Sequence, residues 1–263
     1  MSNINYLRNI SVGVCALCAI QVSGQVAAEN PGGWEYSIAP LYLWAKNIQG
    51  TSALGPTEAE LDLDFQDDVL ENLDAAFAIH FQATQGDLSF FLEYNYAKLD
   101  PTVDAFLGPI PIEVSVDFEE TIWEGGVRYV VAETGSTKWR VFGGIRNFDQ
   151  DVSVKIAGQG PQGKVLKVSG GDDWWHGFGG VGVITQLSQN WRFIANADMG
   201  YKSSDNQSVH AVGFFDYRFR GWGSVFFGYR FLDIDYHNGE SGVQTYGFDG
   251  DEQGPLFGLN FYF

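Results

Sequence analysis

The 263-residue sequence contains two cysteines, Cys15 and Cys18, both inside an apolar run near its start. Small residues ahead of a cysteine would be needed for lipid attachment, but Val14 precedes Cys15 and Leu17 precedes Cys18, so lipidation is not expected. Past residue 28 there is no thiol, which leaves that part of the chain without a disulfide or a cysteine metal site. Long hydrophobic runs are also missing: no stretch approaches the roughly 18 continuous apolar residues of a membrane helix. Positive charge is scarce, with 15 Lys and Arg against 33 Asp and Glu and a formal net charge of −18. That balance argues against nucleic acid as a partner, since affinity for phosphate backbones rests on Lys and Arg. A phosphate loop is lacking as well. The run Gly158-Gln159-Gly160-Pro161-Gln162-Gly163 has neither the Gly-Lys-Ser/Thr ending nor a strand-to-helix setting, and reads as a turn.

At the N-terminus, residues 1 to 9 carry one cation, Arg8, and no acid; residues 10 to 20 are apolar, and Val26, Ala27 and Ala28 follow. This pattern predicts a secretory signal peptide over residues 1 to 28, whose removal with Arg8 would leave a net charge of −19. At the other end, Phe257, Leu259, Phe261 and Phe263 occupy alternate positions, so an extended strand carries them on one face, with Gly258 and Asn260 on the other. This ending resembles the C-terminal signature of Gram-negative outer-membrane barrels. The resemblance implies that these four residues form an assembly signal read by the barrel-assembly machinery.

The interior of the chain repeats the alternation. Trp191, Phe193, Ala195, Ala197, Met199 and Tyr201 share a face, as do Val209, Ala211, Gly213, Phe215, Tyr217 and Phe219, and Val225, Phe227, Tyr229 and Phe231. Aromatics gather near the ends of these stripes, as girdles at a membrane interface do. Short connectors such as Gln85-Gly86-Asp87 alternate with longer polar segments, residues 98 to 111, 148 to 174, 202 to 208 and 236 to 254. The pattern predicts an all-β, antiparallel, up-and-down transmembrane barrel over residues 29 to 263. It has about ten strands, with eight or twelve as alternatives: residues 34–46, 74–85, 88–98, 112–133, 138–157, 164–187, 191–201, 209–219, 224–235 and 255–263. An even count keeps both termini on the periplasmic side. Residues 47 to 73 are accordingly expected to form one large external loop, with a short β-ribbon and a helical turn at Asp67 to Leu73.

A further resemblance lies in Ala39-Pro40-Leu41-Tyr42-Leu43-Trp44-Ala45, Gly50-Thr51, Asp62-Leu63-Asp64-Phe65 and Leu70-Glu71-Asn72-Leu73-Asp74. These resemble the opening of a poorly characterised family of small proteobacterial outer-membrane barrels, over about the first fifth of the mature chain. The family implies fold and outer-membrane location. It has no assigned chemistry, and no catalytic residue carries over.

Opposite the apolar stripes lie Glu93, Asn95, Glu124, Arg128, Arg140, Arg146, Arg192, Asn196, Asp198, Asp216, Arg218 and Arg230. Arg or Lys facing the bilayer midplane costs about 2–4 kcal/mol, so the shared face of these charges predicts a lumen lining. Two readings follow: a narrow passive channel for small hydrophilic solutes or ions, or a closed structural or surface-interaction barrel whose charges pair among themselves. A lipid-acting hydrolase is a further alternative, resting on Ser208 with His210, or His237 with Ser241. No enzyme, catalytic residue, cofactor or metal is expected from these patterns. Acidic loops at residues 62 to 71, at Asp172 and Asp173, and at residues 249 to 252 suggest divalent cations that would bridge to lipopolysaccharide, the expected partner alongside outer-membrane lipid.

Overall fold

The computed structural model describes residues 33–40, 42–63, 73–100, 102–107, 110–158 and 165–263. The expected signal peptide lies outside the described residues, as does the anticipated helical turn from Asp67 up to residue 72; Leu73 already belongs to a strand. The strands are β1 Glu35–Ala39, β2 Tyr42–Trp44, β3 Asn47–Leu54, β4 Thr57–Leu63, β5 Leu73–Gln85, β6 Leu88–Leu99 and β7 Thr102–Leu107. They continue with β8 Ile110–Thr134, β9 Thr137–Gly158, β10 Val165–Gln186, β11 Trp191–Ser203, β12 Asn206–Arg220, β13 Gly223–His237 and β14 Tyr246–Tyr262.

All pairings are antiparallel, and the order β1-β5-β6-β8-β9-β10-β11-β12-β13-β14 returns to β1, a closed ring of ten strands. Closure is made by Ser37 opposite Tyr262 and Ile38 opposite Phe261, and by reciprocal backbone bonds of 3.0 Å between Tyr36 and Phe263. A closed ring leaves no unpaired edge, the condition for a sheet to sit in hydrocarbon. Tight turns gather at the end that holds Phe263. Gly86 and Gly135 turn there with φ of 58° and 60°, conformations that residues with a Cβ adopt at a cost.

The first strand differs from the expected 34–46. It runs beside β14 in three pieces, β1, β2 and β3, from Ser37 opposite Tyr262 to Leu54 opposite Tyr246. The chain leaves the ladder at Ala45 and Lys46, where a Cβ on Gly254 would stand 1.8 Å from the Ala45 carbonyl oxygen; glycine allows that approach. Beyond it, β3 and β4 form a hairpin, so much of the expected external loop is sheet. Other expected loops are sheet too, since β7 pairs with β8 and β14 begins at Tyr246 rather than 255, while β9 and β10 stay paired out to Ala157 and Val165, as the expected strands 138–157 and 164–187 have it.

Length explains the surplus. Strand β8 has 25 residues and β9 and β10 have 22 each, whereas a tilted strand crosses a bilayer in about 9–11. Along β13 the outward residues Val225, Phe227 and Tyr229 are exposed and apolar while Arg230 points in and is buried. Past Phe231 the sense inverts: Leu232 and Ile234 are buried inside and Asp235 is exposed. The same inversion occurs on β14, where Phe257 and Leu259 face out at the turn end but Phe248 faces in beside an exposed Asp249. The turn-end half thus has an apolar exterior suited to lipid, and the loop-end half has a charged exterior around an apolar core.

Candidate binding cavity in the barrel lumen

The lumen is layered. At the loop end, inward residues that include Ile48, Leu54, Phe118, Phe148, Trp174, Ile234, Tyr246 and Phe248, from six strands, form a packed core. Trp174 stacks on Tyr236 with centroids 3.9 Å apart and on Phe148 at 5.2 Å. Inside this apolar plug sits one charged cluster. Lys46 Nζ bridges Glu120 and Glu252, 2.8 Å from the latter; Gln150 donates to Glu120 at 2.6 Å, and the Tyr246 hydroxyl donates to Gln150 at 2.8 Å. Burial, joined by the hydrogen bond to Asp172 and its charge, raises the Tyr236 phenol above its ordinary range.

Below the plug the charges predicted for the lumen meet across it. Arg146 has no exposed surface; its Nε donates to Glu124 at 2.7 Å, Nη2 to Asp198 at 3.0 Å and Nη1 to the Ser208 hydroxyl at 3.1 Å. One guanidinium on β9 therefore ties β8, β11 and β12. Arg230 on β13 does likewise for the opposite wall, donating to Glu93 at 2.6 Å and lying 4.5 Å from the Trp44 ring centroid. Glu93 also meets His80 Nδ1 at 2.8 Å and the Tyr42 hydroxyl at 2.7 Å, which puts Asn95 beside it as well.

Toward the turn end the lumen widens into a cavity of about 190 Å³. Of the expected lumen residues, Glu93, Glu124, Arg128, Arg140, Arg192, Asn196, Asp198, Asp216 and Arg230 line it. Arg146 lies just above, and Arg218 is exposed at the mouth, 4.1 Å from the Tyr262 ring, so it stands outside the lining. Arg192 pairs with Asp216 at 2.9 Å and donates to the Tyr262 hydroxyl at 2.6 Å. Arg128 donates to Gln82 at 2.8 Å and lies 3.6 Å from the Phe91 centroid; Arg140 donates to Asn196 at 2.7 Å. Neither of these two arginines has a carboxylate within ion-pair distance among the described residues.

Sequence patterns paired Ser208 with His210, but the fold pairs it with His176. The Ser208 hydroxyl is 3.0 Å from His176 Nε2, and His176 Nδ1 is 2.9 Å from Asn206 Oδ1, while His210 bonds Asp198 at 2.7 Å. His176 was not visible as a candidate because its parity partner lies on another strand. The arrangement has the connectivity of a nucleophile, base and orienting amide. Yet Ser208 is buried, accepts from Arg146 and does not line the cavity, so no substrate atom reaches it in this structure. His237 lies at the loop end, where its Nδ1 accepts from the Gly239 amide at 3.0 Å. The cluster of Lys46, Glu120 and Glu252 was also missed; the one available signal was that Glu120 shares its parity with Phe118 and Ile122.

On the outside, Phe257, Leu259 and Phe263 are exposed, and Phe261 stacks on Trp222 at 5.9 Å. Past the apolar band, partial burial and the neighbouring Asp249 and Asp251 push the Asp233 carboxyl up; Asp235 is raised by burial, Asp249 and Asp205. Among the described residues no three His, Cys, Asp or Glu side chains gather closely enough to hold a metal ion.

No family model matches the chain, and no curated protein matches it. Solved structures do. The outer-membrane protease OmpT of Escherichia coli is 7% identical with a TM-score of 0.53, covering 91% of this chain and 100% of that one. The toluene transporter TodX of Pseudomonas putida is 10% identical with a TM-score of 0.32, over 90% of each chain. The translocator domain of the autotransporter NalP from Neisseria meningitidis is 12% identical with a TM-score of 0.32, over 89% of this chain and 90% of that. At these identities the likeness is one of fold alone: the chain has the architecture of bacterial outer-membrane β-barrels.

Proposed function

We propose that the protein is an outer-membrane barrel sealed toward the cell exterior, with a solute-binding vestibule that opens to the periplasm. The orientation follows from the tight turns and the Phe263 end lying together, since such barrels keep short turns in the periplasm. The observation that carries the reading is Arg146: a fully buried guanidinium that joins three other strands across the lumen, beneath an aromatic plug. A narrow passive channel would need a water path through both layers. The buried serine and its histidine act structurally in this reading, holding β10 against β12. The C-terminal stripe serves assembly and faces lipid, and the acidic loop-end exterior meets lipopolysaccharide through bridging divalent cations. Planar-bilayer recording of the folded protein tests the proposal. A silent bilayer is expected, with leak currents appearing in Arg146→Ala; discrete unitary steps from the unaltered protein would overturn it.

A further inference from the structure

Five arginines surround or cap the cavity, Arg128, Arg140, Arg146, Arg192 and Arg230, against four carboxylates, Glu93, Glu124, Asp198 and Asp216. Every one of those carboxylates is already committed. Glu93 is paired with Arg230, Glu124 and Asp198 share Arg146, and Asp216 is paired with Arg192. Arg128 and Arg140 are therefore the two that have no carboxylate at ion-pair distance among the described residues. Both are more than nine-tenths buried, and the Nε of each is a buried donor with no partner among the described residues. Buried guanidinium groups are ordinarily paired, and a donor left without an acceptor is costly. The two residues are diagonal neighbours on adjacent strands, since Arg128 lies opposite Phe142 and Val130 opposite Arg140, a residue-to-residue separation of about 7–8 Å.

The local sequence makes room for this arrangement. A Cβ on Gly182 would stand 3.0 Å from Arg140 Nε and 2.3 Å from Asn196 Oδ1, so glycine there is what lets the Arg140 side chain lie along the wall. The rest of the lining mixes apolar side chains, Phe142, Ile194, Val212 and Phe214 among them, with polar ones such as Gln82, Asn196, Asn260 and Tyr262. Size restricts what fits. A cavity of about 150 Å³ accepts benzene, so about 190 Å³ accommodates one ring bearing a single small polar group.

We propose that the vestibule binds a small organic acid: one carboxylate held by Arg128 and Arg140, and a compact apolar body, the size of a single six-membered ring, packed against Phe142, Ile194 and Phe214. This rests on the vestibule reading and names its ligand class. A carboxylate satisfies planar guanidinium donors in the charge-assisted geometry that makes such contacts strong.

Calorimetric titration of the folded barrel in detergent with benzoate tests the assignment. Saturable binding at one site is expected, at least about tenfold tighter than for benzyl alcohol, which keeps the ring and lacks the charge, and tighter than for inorganic phosphate, which lacks the ring. Arg140→Gln should weaken benzoate at least tenfold, while Arg220→Gln, at the exposed turn end, leaves it unchanged. Should Arg140→Gln fail to show the heat-modifiable gel migration of a folded barrel, Arg128→Gln takes its place. The proposal is overturned by absent benzoate heat, by equal affinity for benzyl alcohol or phosphate, or by undiminished binding in the folded arginine variant. Unitary currents in the bilayer would instead defeat the sealed-barrel reading, whatever benzoate does.

Discussion

Replacing Arg146 with methionine keeps a long apolar stem in place and removes the guanidinium that spans the lumen. In the native barrel that group makes three hydrogen bonds, to Glu124, Asp198 and Ser208. Their loss is unequal. Asp198 keeps its contact to His210 at 2.7 Å and Ser208 keeps His176, but Glu124 has no other hydrogen-bond partner among the described residues and is buried. A buried ion pair broken from one side costs about 3–5 kcal/mol, because the remaining charge is left in a medium that solvates it poorly. The expected destabilisation of Arg146→Met is therefore about 3 kcal/mol or more, a shift of more than about a hundredfold in the folding equilibrium at roughly 1.4 kcal/mol per decade. Urea unfolding in lipid vesicles, followed by tryptophan fluorescence and by gel migration, measures it. The decisive comparison is the double variant Arg146→Met with Glu124→Gln. It removes the stranded charge and should recover most of the loss. A single-variant loss below about 1 kcal/mol, or a double variant no more stable than the single, would refute the view that Arg146 serves to compensate buried carboxylate.

The plug yields a parallel expectation. Lys46→Met leaves Glu120 and Glu252 facing one another inside apolar surroundings, and should loosen the loop-end half before the lipid-embedded half, read as accelerated hydrogen exchange at β3 and the start of β14. Ile234→Ala removes a side chain with no exposed surface from the same core and should cost about 2–5 kcal/mol in urea unfolding, as large-to-small core changes do. The acidic exterior sets a pH dependence. Asp233 and Asp235 bind protons more readily folded than unfolded, so their contribution is most favourable below the unfolded carboxylate range and is lost as pH rises through their raised values. Because both are largely solvated the effect is expected to stay under about 1 kcal/mol. It should shrink in an Asp235→Asn, Asp249→Asn double variant, and a stability difference between native protein and variant that instead grows in favour of the native protein from pH 4 to pH 7 would contradict the assignment.

What the sequence made legible, and what it hid, follow from the same rule applied to two solvents. In the turn-end half, lipid demands apolar residues at alternate positions, and Val225, Phe227, Tyr229, Phe257 and Leu259 supply them, so the barrel and its inward charges could be read directly. In the loop-end half the exterior is water, and the alternation persists with its sign reversed. Asp233 and Asp235 flank Ile234, Glu119 lies between Phe118 and Glu120, and Asp249 follows Phe248. Read as lipid-facing strand these segments are too acidic, so they pass for loops, although each is a half-buried strand of the ordinary soluble kind. The reversal occurs within one unbroken strand, between Phe231 and Leu232 on β13, without a turn residue to mark it. Pairing across the lumen was hidden for a different reason. Parity shows that Arg128, Arg140 and Arg146 point inward, but their partners come from strands up to 62 residues away in the chain, as Arg146 with Ser208 does. The inward arginines and carboxylates read from parity are consistent with several allocations, among them the observed one, in which Arg146 takes two acids and Arg128 and Arg140 take none at ion-pair distance among the described residues. That allocation is fixed by ring closure and shear, which set the heights of side chains on facing walls. It is also the feature on which the vestibule depends, because a fully paired lumen would leave no donor to meet a ligand.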